Sequence, residues 1–363
     1  MNKNNPTLKE TFFSAYQSYK KRDYKNAEML CNKILNIDPN HFDSIFLLAN
    51  LSAINRDFNG AKEFLHKAVK IQPKSTNAYN NLGTAYKELG KYDEAINFYN
   101  KTLEIEPNHP NAHYNLGLVF YKLKDLKKAK SYLQKTCEIQ KNYAIAFFSL
   151  ANVHVDLKEL EHAISCYQKA IEINPQLFGA HNNLGLVFRE LNDFKNAINC
   201  YKKVIEIRSD HAGAHHNLAL AYKELGKFNE AIASHQEAIK YEPTNSIHYY
   251  YLSELKKDIL NINLKNKIKK ITDDKKSTKR NLAYSHYLLA KYERKEKNYE
   301  KEMDHLIKGH QNFYNNHKTK FDLNNKFCFE DVNQIKEGAK IEKSFKKSVI
   351  EIKPIFIIGV PRC

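Results

Sequence analysis

The stretch NAYNNLGTAYKELGKYDEAINFYNKTLEIEPN, residues 77–108, holds two apolar periodicities separated by a break. Over Ala78–Leu89, and again over Tyr92–Ile105, apolar residues recur at i, i+3, i+4 and i+7, the spacing of an amphipathic helix. Gly90-Lys91 interrupts them as a short turn. Pro107 ends the second, because the residue before a proline is pushed out of the helical region. The stretch predicts a helical hairpin.

The hairpin recurs. Ala95 is one of seven alanines held 34 residues apart: Ala27, Ala61, Ala95, Ala129, Ala163, Ala197 and Ala231. Counted so that this alanine is position 20, the units run 8–41, 42–75, 76–109, 110–143, 144–177, 178–211 and 212–245. Position 8 is always Ala or Gly, position 7 is Leu in six units, and position 32 is Pro in five (Pro39, Pro73, Pro107, Pro175, Pro243). Small residues at 8 and 20 predict a close helix crossing, where a larger side chain would overpack. One hairpin cannot bury both its apolar faces, so the units must stack. The expected fold is all-α, a right-handed superhelix with a concave inner face over residues 8–245.

These residues resemble the tetratricopeptide repeat (TPR), over about two-thirds of the chain. The resemblance implies a scaffold for protein or peptide binding. Position 6 is Asn in four units, Asn81, Asn115, Asn183 and Asn217, with Ser149 in the gap. On stacked first helices they form a ladder, and an amide that both donates and accepts can hold the backbone of an extended peptide. The ladder resembles the inner-groove asparagines of the O-linked N-acetylglucosamine transferases. A second role stays open, the cross-linking of adjacent helices. Lys87 and Arg189 are expected in the same groove, with Asn80, Thr84, Tyr114, Tyr121, Asn152 and Lys223.

The net charge of +17 is uneven. Residues 246–363 carry 26 Lys and Arg against 15 Asp and Glu, while residues 1–245 carry 32 against 26. The basic excess sits behind the repeats, in Lys265–Lys270 and Lys275–Arg280. It can be a solvated surface, or it can attract nucleic acid, anionic lipid or an anionic cofactor. No aromatic-interleaved basic stripe points to a nucleic-acid groove. No apolar run approaches a membrane span, and MNKNNPTLKETFF has no apolar signal core, so the expected location is the cytoplasm. Six cysteines lack metal-like spacing, and Cys166 and Cys200 share one repeat position. His113, His181 and His215 fall at repeat position 4, a packing position, and no carboxylate or thiol completes a site around His211, His215 and His216. No metal is expected.

Beyond the seven units the register is read as lost. Residues 246–282 are expected to be a basic helical connector, with a short helix over Asn261–Ile271. Residues 283–316 are expected to be a degenerate pair, with Leu289-Ala290 at positions 7 and 8 and Glu302 in place of the alanine, and 317–350 a second connector. Pro354–Ile358 is an apolar β-branched run typical of a buried parallel strand, followed by Gly359-Val360-Pro361-Arg362-Cys363. Such a strand needs neighbours, so 351–363 is expected to open a truncated α/β domain.

The ending resembles the first strand and phosphate loop of the sulfotransferases, and the whole order resembles the bacterial TPR-sulfotransferases. That resemblance implies 3′-phosphoadenosine-5′-phosphosulfate (PAPS) as co-substrate, held at the start of a helix. Gly359, Pro361, Arg362 and Cys363 would line the loop. Gly359 would let the backbone approach the phosphate, and Arg362 would offset charge at the transferring sulfuryl group as the catalytic residue. The expectation is an inactive 363-residue chain whose longer parent sulfates a peptide, protein or glycan presented by the repeats. The alternatives are a non-enzymatic adaptor and a TPR-fused glycosyltransferase. The acceptor, the partner and the oligomeric state stay open.

Overall fold

A computed structural model describes secondary structure for residues 7–321 and side chains for residues 7–314. Its contacts divide the chain into two compact units, Met1–Tyr241 and Glu242–Cys363. Among the described residues every regular element is helical.

The first unit holds seven helix pairs: α1 (Leu8–Lys20) and α2 (Tyr24–Leu35), α3 (Phe42–Ile54) and α4 (Phe58–Ile71), α5 (Thr76–Glu88) and α6 (Tyr92–Ile105), α7 (Pro110–Lys122) and α8 (Leu126–Ile139), α9 (Ala144–Asp156) and α10 (Leu160–Ile173), α11 (Phe178–Glu190) and α12 (Phe194–Ile207), α13 (Ala212–Glu224) and α14 (Phe228–Tyr241). Each starts where the 34-residue register puts it. Helices pack on their chain neighbours in order, and first helices of adjacent repeats also meet, as α5 does α7 and α11 does α13. This is the contact pattern of a linear stack.

All seven register alanines are fully buried. Position 24 fills the crossing with Cys31, Leu65, Tyr99, Leu133, Tyr167, Tyr201 and His235, all nearly or fully buried. That explains the small residue at position 8. A Cβ on Gly83 would lie 2.7 Å from the Tyr99 ring, and one on Gly185 2.6 Å from Tyr201. Position 8 is therefore small because of position 24, a coupling the repeat pattern alone did not show.

The turn between paired helices has its own rule. Position 15 is left-handed in all seven repeats: Arg22, Arg56, Gly90, Lys124, Lys158, Asn192 and Gly226 have φ between 59° and 75°. Glycine adopts this backbone freely, whereas the other five carry a steric cost. The next residue caps the second helix. The Asp23, Asp57, Asp125 and Asp193 carboxylates accept from the backbone N–H three residues on.

The second unit departs from the expected connector. α15 (Ser246–Leu255) and α16 (Ile262–Asp273) start at positions 1 and 17 of an eighth 34-residue unit, so the register survives 245. The pairing does not. Position 20 there is Lys265, which cannot sit in a close crossing, and both helices instead pack against α17 (Lys279–Lys295). Lys265 Nζ lies 2.7 Å from Glu293 Oε1 of α17 and 4.3 Å from the Tyr292 ring centroid. α17 and α18 (Tyr299–Phe321) pack against each other. Glu302, at the alanine position, is buried and accepts from Arg294 Nε at 2.6 Å. Gly309 clears the Tyr287 ring in the same crossing. The strand over Pro354–Ile358, the loop Gly359–Cys363 and the connector beyond Phe321 lie outside the described residues.

Candidate functional site: a polar ladder along the first helices

The four ladder asparagines are half-buried and committed to neighbours. Asn81 Nδ2 donates to Asn50 Oδ1 (3.1 Å) and Asn115 Nδ2 to Asn80 Oδ1 (3.1 Å). Asn183 Nδ2 donates to Asn152 Oδ1 (3.0 Å) and Asn217 Nδ2 to Asn182 Oδ1 (3.2 Å). Each bond ties one repeat to the one before, through position 9 or position 5 in alternation. The amide cross-links of the second reading are thus present. Each NH2 group has a second hydrogen, so the bonds consume half its donor capacity. Between the fourth and fifth repeats Asn gives way to Ser149, whose hydroxyl lies 3.4 Å from Tyr114 Oη.

Second-helix tyrosines reach up to this surface. Tyr167 Oη donates to Asn152 Oδ1 at 2.6 Å, and Tyr99 Oη to Thr84 Oγ1 at 3.2 Å. Burial raises the pKa of both phenols, so they stay protonated donors. Tyr201 is the odd one: its position-9 partner is Leu186, and its buried hydroxyl has no hydrogen-bond partner among the described residues. Tyr201→Phe should therefore leave stability unchanged or raise it by up to about 1 kcal/mol, whereas Tyr167→Phe should lower it by about 1 kcal/mol. Thermal melts of the two variants decide this, and equal losses would contradict the assignment. Lys87 and Arg189 are half-buried at position 12 of their repeats, and Lys87 Nζ pairs with Glu88 at 3.2 Å.

The histidines resolve into two periodic roles. At position 4, His113, His181 and His215 place Nε2 at 2.8, 3.0 and 2.9 Å from the carbonyls of Pro107, Pro175 and Ser209. A carbonyl only accepts, so Nε2 carries the proton. Tyr249 Oη repeats the bond to the Pro243 carbonyl at 3.1 Å. At position 34, His41, His109 and His211 accept from the first turn through Nδ1 and cap the next helix. Both roles are structural, as the periodicity predicted for position 4; the caps went unread because histidine is an uncommon N-cap.

One cluster was missed. His154, Glu159 and His162, around the α9–α10 turn, bring one donor atom each within 4.8 Å of one another. His154 Nδ1 lies 2.5 Å from Glu159 Oε2, and Lys130 Nζ holds both Glu159 oxygens at 2.9 and 2.7 Å. Burial lowers the His154 pKa, and the Lys130 hydrogen bond lowers that of Glu159. The lysine already supplies the cation, so this network joins the fourth repeat to the fifth where the asparagine bond is lacking. The thiols are similarly quiet: desolvation pushes half-buried Cys166 and buried Cys200 up to about 11.

Known proteins share the repeat. TPR repeat models match residues 84–124, 151–190 and 185–226, and tetratricopeptide repeat models match 110–143 and 212–245. A model of the anaphase-promoting complex, cyclosome, subunit 3 matches residues 20–102. No curated protein matches. Among solved structures, the C-terminal part of a TPR repeat-containing protein from Cytophaga hutchinsonii is 18% identical, with 66% of this chain and 98% of that one covered and a TM-score of 0.53. The pilF protein of Pseudomonas aeruginosa is 17% identical, with 59% and 97% covered and a TM-score of 0.52. YrrB, described as a TPR protein with an unusual peptide-binding site, is 23% identical, with 53% and 98% covered and a TM-score of 0.47. Among the described residues no helix is long and apolar enough to cross a membrane. The alanine register, the paired helices and the repeat matches make this chain a member of the tetratricopeptide-repeat proteins.

Proposed function

We propose that the first-helix ladder holds an extended peptide segment of a partner protein, through Asn81, Asn115, Asn183 and Asn217, with Lys87 and Arg189 meeting acidic groups on it. TPR proteins bind peptides or proteins. The observation that carries the reading is the half-used amide: each asparagine is pinned by one N–H to the repeat before, and Asn81, Asn115 and Asn217 keep a second to offer, whereas the Asn183 amide also meets the Tyr167 hydroxyl. A pinned donor loses little freedom on binding, which favours affinity. Changing all four to Ala is expected to weaken peptide binding at least about tenfold. It also removes four inter-repeat bonds, so the melt should fall even while helicity at room temperature is kept. The measurement is peptide affinity of a variant shown to be folded by circular dichroism. Unchanged affinity would leave the asparagines as cross-links alone.

A second reading rests on the sequence IFIIGVPRC, residues 355–363. In it the repeats present an acceptor to a PAPS-dependent sulfotransferase domain, with Gly359, Pro361, Arg362 and Cys363 in the phosphate loop. PAPS would supply the sulfuryl group, and the Arg362 guanidinium would offset charge beside it. The test is sulfuryl transfer from labelled PAPS to a tyrosine-rich peptide or a glycan pool by a protein continuing past Cys363, with Arg362→Ala alongside. No consumption of PAPS leaves the adaptor.

A further inference from the structure

The second unit contains a cavity that neither reading uses. The start of α15, the last turns of α16 and the loop into α17 line an open concavity of about 630 Å³, within the range of small-molecule sites. Its charged lining is Lys267, Lys270, Lys276 and Arg280 against a single carboxylate, Asp274. All four cations are exposed, and none makes an ion pair among the described residues. Lysines elsewhere are commonly paired, as Lys169 is with Glu172 and Lys203 with Glu206. Four unneutralised cations on one concave wall raise the local potential and concentrate anions.

The wall is also built to hold its shape. Asn281 ties the start of α17 to the start of α15, accepting from Ser246 N at 2.7 Å and donating to the Thr244 carbonyl at 2.9 Å. Ser277 Oγ donates to the Ile271 carbonyl at 2.8 Å, fixing the loop on the end of α16. Arg280 lies in the first turn of the 17-residue α17, where the helix dipole adds to its charge. The apolar part of the lining is Ile247 and Ile271.

We infer that this cavity binds a small organic polyphosphate, a molecule with an apolar ring and at least two phosphate groups. Two or more phosphates match the charge of the wall, with Arg280 able to grip one through its planar fork. The ring would rest on the isoleucine patch. A single-stranded nucleic acid is disfavoured, because no aromatic side chain lines the cavity to stack a base.

The test is calorimetric titration of the full chain with ATP, inorganic pyrophosphate and a single-stranded 12-nucleotide probe, at about 150 mM salt. ATP and pyrophosphate should both saturate one site, ATP the more tightly. The K270A/R280A variant should bind ATP at least about tenfold more weakly. The control K169A/K203A removes two charges from the repeats and should bind as the wild type does. K276Q, a single exposed change, serves as a second variant and should also weaken ATP. Equal weakening in the control would reduce the effect to net charge and overturn the inference. So would a lack of saturable binding of ATP, or tighter binding of the oligonucleotide than of ATP.

Discussion

Ala129→Leu is expected to destabilise the repeat array by about 1–3 kcal/mol, with the loss concentrated around the fourth repeat. Ala129 is fully buried, in a cluster with Tyr99, Leu116, Leu133 and Val153 that spans three repeats. Three added carbons have no space there, because Leu133 already fills the crossing against Gly117, where a Cβ would meet it at 2.6 Å. The stack gives each repeat only its neighbours as support, so amide hydrogen exchange should rise in α7 to α9 while α1 to α4 stay protected. An unchanged melt, or protection lost evenly along the chain, would argue against the register.

Lys265→Met should cost the second unit about 3 kcal/mol or more at neutral pH, because it strands a buried carboxylate. Glu293 is 4% exposed. Burial pushes its carboxyl up, but the Lys265 hydrogen bond and charge prevail, and its pKa is lowered below the usual 4.5. The sign follows. In the wild type this pair stabilises the fold above pH 4.5, and the contribution is lost as pH falls through the lowered value. Without the lysine, burial is opposed only by the charges of Lys301 and His305, so Glu293 takes up a proton more readily than in the wild type. The deficit of the variant should then shrink on acidification. Melts of Lys265→Met and of Lys265→Met/Glu293→Gln at neutral and acidic pH check this. The double variant should recover much of the loss at neutral pH, and a single-variant melt equal to wild type would refute the buried-pair account.

The array was legible because seven copies of one signal add together. Ala at position 20, the small residue at 8 and the proline at 32 each mark a backbone constraint, and backbone constraints repeat. The left-handed position 15 was not legible, since Arg22, Arg56, Lys124 and Lys158 carry no glycine signature there. The eighth register was hidden for a similar reason: Lys265 stands where the marker alanine should be, although α15 and α16 begin on schedule. The ladder asparagines could be named from the sequence, but not their partners. A position-6 amide finds position 9 in one repeat and position 5 in the next, a choice set by which neighbour carries an asparagine. Spatial clusters such as Lys130, His154 and Glu159 join different repeats, and spacing along a chain does not display them.

The interruption at Ser149 has a consequence for recognition. Asn81 and Asn115 on one side recur as Asn183 and Asn217 on the other, three repeats further along the stack. In the proposed groove this makes two equivalent half-sites with an unlike stretch between them. A partner carrying two short copies of one motif would engage both at once, and the second engagement would be intramolecular. Its strength would then depend on the spacer joining the copies: too short to span the interval and avidity vanishes, matched to it and avidity peaks, longer and it declines slowly. On that proposal the protein would measure the distance between two motifs as well as their identity, a ruler along its partner.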